Sequence, residues 1–220
     1  MWSAPLLDAA DLAILQFLAA HRTDWLTSIP LTIGVLGTSS WVIGPLALVG
    51  LVGLGLKRRT WRTGAAVVVS VLAAQLLVGP LKDAIERPRP AMDLTLLAGS
   101  GYAFPSTHAA FTSAAVAAYL AITHAARSRT GQNGDRDRHR SATAVVLVGF
   151  VAFVGVCMIY LGSHWSTDVL AGWLLGTPLG WLVGRLLRAR PPRPGRDTAP
   201  GPQAPGPGGP PPAGGGGGVT

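Results

Sequence analysis

FPSTHAAFTSAAVAAYLAITHA, residues 104–125, opens with a proline and a serine and then continues almost without charge for the length of a membrane helix. Pro105 and Ser106 are helix-start signals, and about 20 apolar residues suffice to cross a hydrocarbon core roughly 30 Å thick. Ala114, Ala117, Ala118 and Ala121 form a small-residue face along which a second helix can approach closely. The head of the run carries Ser106, Thr107 and His108. A helix start, with its outward N–H groups and the positive end of its dipole, favours an anion there.

Working outward, two more polar segments sit at the ends of apolar runs: KDAIERPRP (residues 82–90) before this helix and YLGSHWSTDVLAG (residues 160–172) after it. The 220 residues are 49% hydrophobic and only 13% charged, too oily for an ordinary soluble domain. The reading is all-α: a polytopic membrane bundle of about six transmembrane helices with a disordered C-terminal tail. The single cysteine, Cys157, excludes an internal disulfide framework and a cysteine metal site, and it reads as a small buried side chain. The net charge of +8 does not point to nucleic acid, because the basic residues fall between apolar runs or in the tail. No basic, apolar and small-residue succession marks a removable signal peptide at the N-terminus.

In chain order, residues 5–20 read as an amphipathic or tilted N-terminal helix, with Leu7, Leu12, Leu15 and Leu18 on one side and Asp8 and Asp11 on the other. Residues 25–37 are apolar but interrupted by Pro30; apolar runs over 41–56 and 63–81 follow, flanking a basic cluster of Lys57, Arg58, Arg59 and Arg62. Residues 82–105 are polar, proline-bearing and too long for a tight turn, as a functional loop would be. Residues 126–140 form a basic loop, and 141–161 and 166–187 supply the last two spans. The final span carries Gly172, Gly176, Gly180 and Gly184 on one face, which reads as a packing face, and Pro178, which should kink it. Residues 189–220, rich in proline and glycine, cannot bury a core. The division is therefore a membrane-embedded domain at 1–188 and a tail at 189–220.

Lys57, Arg58, Arg59 and Arg62, five arginines within residues 127–140, and Arg185, Arg188, Arg190, Arg193 and Arg196 share one side under this helix count. Lys82, Arg87 and Arg89 lie on the other. The positive-inside rule makes the first side cytoplasmic, tail included, and the three polar segments extracytoplasmic. Alternating helices bring those segments to one level.

What meets there is Lys82, Arg87, Arg89, Ser106, Thr107, His108, His164 and Asp168. Arg89 offers a fork of donors and Lys82 a compact charge, a set suited to phosphate. His164 and Asp168, four residues apart, can pair, which fixes the imidazole tautomer and leaves its other nitrogen as a nucleophile. One histidine then attacks phosphorus while the other protonates the leaving oxygen. A bland reading stands beside each part: basic residues as headgroup anchors, Ser106 as a cap with an interfacial His108, and His164 with Asp168 as a polar pair at a helix start. His21, His124 and His139 lack such company and read as loop or interface residues.

With these residues in view, the chain resembles the type 2 phosphatidic acid phosphatase superfamily, the lipid phosphate phosphatases related to vanadium haloperoxidases. Lys82, followed after six residues by Arg89 and Pro90, matches its first motif; Pro105, Ser106, Thr107 and His108 match the second, with threonine for glycine. His164 and Asp168 match the third, but Cys157 and Met158 stand where Ser-Arg is expected. The resemblance implies a six-helix bundle and metal-independent hydrolysis, without a cofactor, through a phosphohistidine. It makes His164 the nucleophile, Asp168 its orienting partner and His108 the general acid, with Lys82, Arg89, Ser106 and the Thr107 N–H holding phosphate. Arg87 is the candidate substitute for the guanidinium missing at Met158, whose loss would cost on the order of 3 kcal/mol of transition-state stabilisation.

The expected partners are membrane lipids and a lipid phosphate substrate: a polyprenyl pyrophosphate such as the undecaprenyl carrier, phosphatidylglycerophosphate or phosphatidate. A catalytically weak lipid-phosphate binder is the alternative that Met158 suggests. A transporter or purely structural bundle would explain the glycine face but not the cluster of charge and histidine.

Overall fold

The computed structural model describes residues 5–38, 61–125 and 134–188, and every regular element among them is helical. The helices are α1 (Pro5–Ala20), α2 (Asp24–Thr38), α3 (Trp61–Ile85), α4 (Thr107–Ala125), α5 (Gly134–Tyr160) and α6 (Ser166–Leu187), with a 3-10 turn at Met92–Leu94. The expected span over residues 41–56, the cluster Lys57, Arg58 and Arg59, and the tail at 189–220 lie outside the described residues. Trp61–Ile85, Ser141–Tyr160 and Ser166–Leu187 are long and apolar enough to cross a membrane, and Thr107–Thr123 is a shorter apolar helix. The chain is thus an all-α membrane bundle.

The centre of the bundle is the α4–α6 pair, whose helices run parallel in fixed register. A Cβ added at Gly172 would lie 2.6 Å from Ser106 O, one at Gly180 2.7 Å from Ala114 Cα, and one at Gly184 2.7 Å from Ala118 O. The four glycines therefore form a packing face, as their spacing predicts, and the alanines of α4 fit against them. Three of the four alanines on the predicted α4 face, Ala114, Ala118 and Ala121, are buried; Ala117 is only partly so. α6 continues as one helix through Pro178.

α3 and α5 run opposite to this pair, so the end of α3, the start of α4, the end of α5 and the start of α6 meet at one end. α3 stops where Glu86 takes a left-handed backbone (φ 52°) and its N–H bonds to Lys82 O at 2.9 Å, two residues before Pro88. α5 stops at a turn made by Gly162 (φ 70°), where a Cβ would meet Thr95 Cα at 2.9 Å. That turn is stitched to the 86–106 loop by Leu96 N–H to Leu161 O at 2.8 Å.

α1 packs against the same end of the bundle. Both of its ends touch it: Asp8 and Asp11 reach Arg87, while Arg22, just past its C-terminus, donates to Tyr160 O (2.6 Å) and Leu94 O (2.8 Å). The helix therefore lies across that end of the bundle. Its docked face carries the carboxylates. Asp11 and Leu15 are buried, whereas Leu6, Leu7, Ile14 and Phe17 point outward.

Candidate active site

The three polar segments converge as the sequence predicts. Ser106 N–H donates to Asp168 O at 2.9 Å, which locks the start of α4 onto the first turn of α6. His108, in the first turn of α4, and His164, just before α6, are thereby carried to one end of the pair. Ser106 is fully enclosed and its Oγ sits 3.5 Å from Ala109 N, a long capping contact at the helix start; Thr107 and His108 are partly buried.

His164 lies in the turn before α6, 3% exposed, and its Nδ1 is 2.9 Å from Ala103 O. A carbonyl only accepts, so Nδ1 carries the hydrogen and Nε2 keeps its lone pair. This revises the expected pairing. Asp168 Oδ2 is 3.6 Å from Nδ1, beyond a good hydrogen bond, so the tautomer is fixed by the Ala103 backbone and Asp168 contributes its charge from the second position. Burial pushes the His164 imidazole down to about 4; Asp168 opposes that shift, and the charges of Arg89 and Lys82 add to it. The ring is neutral at pH 7 and able to act as a nucleophile.

Lys82 and Arg89 stand beside it, each tied to neutral backbone oxygens. Lys82 Nζ donates to Tyr102 O (2.7 Å) and, more loosely, to Ala103 O (3.3 Å), the same carbonyl that holds His164. Arg89 spreads its fork over Gly101 O (Nε, 3.0 Å), Ser163 O (Nη1, 2.5 Å) and Ser100 O (Nη2, 3.0 Å). Burial lowers the Arg89 pKa, with Asp168 resisting. A half-buried cation held by carbonyl dipoles gains from an arriving anion, which gives the pair the character of a phosphate site.

Arg87 does not join them, contrary to the sequence expectation. Its side chain is 1% exposed, and Nη1 donates to Asp168 Oδ1 (2.6 Å) and Thr167 Oγ1 (2.6 Å), Nη2 to Asp11 Oδ2 (2.7 Å) and Asp8 Oδ1 (2.8 Å). Three carboxylates hold its charge, so it does not stand in for the guanidinium missing at position 158. Met158 itself is 1% exposed in an apolar cluster with Ala109, Cys157, Leu161 and Val169. Cys157 is buried beside it, as read from the sequence.

Sequence reasoning missed Asp8, Asp11 and Arg22. A signal for the first two was present: carboxylates three residues apart share one face of an otherwise apolar helix, an expensive arrangement near a membrane unless a cation receives them. Among the described residues no cluster of histidine, cysteine and carboxylate forms a metal site.

Comparison with known proteins identifies the family. The model of the PAP2 superfamily matches residues 63–192. Phosphatidylglycerophosphatase B of Bacillus subtilis (strain 168) is 30% identical over 179 residues, which cover 80% of this chain and 83% of that protein. The crystal structure of a transmembrane PAP2-type phosphatidylglycerolphosphate phosphatase from Bacillus subtilis matches with a TM-score of 0.68 at 30% identity, covering 82% of this chain and 85% of the other. Aquifex aeolicus LpxE shares the fold, with a TM-score of 0.58 at 24% identity over 78% of this chain and 93% of its own. The family model covers more than half of the chain and contains every cation and histidine of the site, and so this membrane protein belongs to the PAP2 superfamily.

Proposed function

We propose that the protein is an integral-membrane phosphatase that hydrolyses a lipid phosphomonoester through a phosphohistidine on His164, at the extracytoplasmic face. The observation that carries this reading is the Nδ1 bond of His164 to Ala103 O, which leaves Nε2 as the free base in a buried ring flanked by Lys82 and Arg89. Nε2 attacks phosphorus, the bond from phosphorus to the lipid oxygen breaks, and His108 gives its proton to that oxygen. Water then attacks the phosphoenzyme, returns a proton to His108 and releases inorganic phosphate. Lys82, Arg89, Ser106 Oγ and the Thr107 N–H bind the phosphoryl oxygens, with Lys82 and Arg89 exchanging backbone carbonyls for them. The reaction needs no metal.

Phosphatidylglycerophosphate is the leading substrate. The relative named for that activity is 30% identical, and the two positive charges of Lys82 and Arg89 match the charge of about −2 on a phosphomonoester better than a diphosphate. A polyprenyl pyrophosphate and phosphatidate remain in the panel. One observation favours a second reading, a lipid-phosphate binder with slow turnover: Met158 fills an apolar cluster where a further phosphate-holding cation would otherwise enter. Purified protein in detergent, assayed for phosphate release with EDTA present, decides between them. Release from phosphatidylglycerophosphate, lost in His164→Ala, is the expected result; tight binding of the same lipid without release would establish the second reading.

A further inference from the structure

The region matched by the family model begins at residue 63, so α1 lies outside it. Yet α1 reaches the site through a continuous chain of charged hydrogen bonds. Asp11, 1% exposed, receives Thr167 N–H at 3.0 Å on Oδ1, together with the Ser166 hydroxyl, and receives the Thr167 hydroxyl and Arg87 Nη2 on Oδ2. It thus caps the start of α6 from another helix, where free N–H groups and the dipole favour a carboxylate. Arg87 continues the chain by donating Nη1 to Asp168 Oδ1 at 2.6 Å, while Trp165 N–H holds Oδ2 at 2.9 Å. Both Asp168 oxygens are therefore fixed, and Oδ2 is held 3.6 Å from His164 Nδ1.

We propose that Asp11 of the N-terminal helix is a positioning residue for the reaction, acting through Arg87 to set the rotation of Asp168 against the nucleophilic His164. The inference rests on the phosphatase reading above. Breaking the relay leaves the phosphate-binding cations in place, because Lys82 and Arg89 are held by the carbonyls of residues 100–103 and 163 and by no member of the relay. The chemical step should suffer and substrate binding should not. A bound phosphate relies on Lys82, Arg89, Ser106 and the Thr107 N–H without a bond to the imidazole, whereas orthovanadate would also take the imidazole nitrogen as a fifth ligand.

The test is Asp11→Asn in the full chain, in detergent. It keeps the shape and an acceptor oxygen but removes the charge. The expected result is a fall in kcat of tenfold or more with KM within twofold, and orthovanadate binding weakened by a similar factor while inorganic phosphate binding holds. Unchanged kcat, even with a lower melting temperature, overturns the proposal, as does parallel weakening of vanadate and phosphate. If Asp11→Asn does not fold, Arg87→Lys, which keeps the charge but loses the fork, decides by the same criteria. A wild-type protein that releases no phosphate from any lipid would sink the phosphatase reading alone, because the split between vanadate and phosphate would still decide the role of Asp11.

Discussion

Replacing Gly172 with alanine should separate α4 from α6 at the level of the site. The added Cβ would lie 2.6 Å from Ser106 O and 2.7 Å from Ala109 Cβ. Methyl-to-carbonyl contacts settle near 3.3 Å and carbon pairs near 3.5 to 4 Å, so the helices must part by about 1 Å. That shift acts on Ser106, whose N–H bonds Asp168 O, and displacements of this size can cost about a hundredfold in rate. Gly184→Ala is the matched control. Its Cβ would meet Ala118 O and Ala121 Cβ at 2.7 Å each, a wedge of the same size, but twelve residues and so roughly 18 Å further along the helix. Each wedge should cost about 1 to 3 kcal/mol through overpacking, less the roughly 1 kcal/mol that alanine gains over glycine inside a helix. Melting temperatures in detergent should therefore fall by similar amounts in the two variants, while kcat/KM for phosphate release falls about a hundredfold in Gly172→Ala and only a few-fold in Gly184→Ala. Equal loss of activity in both, or full activity in Gly172→Ala, would refute the claim that this contact sets the site geometry.

Met158→Arg, the substitution that would complete the third sequence motif, should destabilise the protein by several kcal/mol and raise no activity, because it buries a charge among Leu31, Ile33, Leu97 and Leu161; a gain in kcat refutes this. His164 is held near 4 when folded against 6.5 when free, so the unfolded chain binds the extra proton between those values. Stability from this group is complete above about pH 6.5 and is lost as pH falls toward 4, by about 3 kcal/mol in all. The melting temperature should fall more steeply over that window in the wild type than in His164→Gln, and equal slopes would contradict the assignment. For topology, a cysteine at exposed Met92 should react with an impermeant thiol reagent in intact cells while one at exposed Arg185 is shielded, and the reverse pattern would invert the orientation.

What could be read from the sequence follows physical range. Apolar runs and the four-residue glycine spacing are local patterns, and they predicted α3 to α6 and a packing face on α6, though not that α4 is the helix it receives. His164, Asp168, Lys82 and Arg89 were legible because polar groups at the ends of apolar spans are costly and are gathered for a reason. The backbone acceptor that fixes His164 was not, since Ala103 is 61 residues away and a carbonyl has no signature in its side chain. Arg87 was assigned to phosphate for a similar reason. Its carboxylates at Asp11 and Asp168 are 76 and 81 residues distant, and an arginine in a polar loop looks the same whether it faces an anion or an aspartate. That the protein covers the polar side of α1 was not legible either, because Arg87, which receives Asp8 and Asp11, is 79 and 76 residues distant.

The most direct test of the central claim is to quench the enzyme during turnover of a 32P-labelled lipid monophosphate and map the label after alkaline denaturation, which preserves a phosphorus–nitrogen bond. Label is expected on the peptide carrying His164, absent in His164→Asn. Label on Ser106 or His108, or turnover that survives the loss of His164, would contradict it.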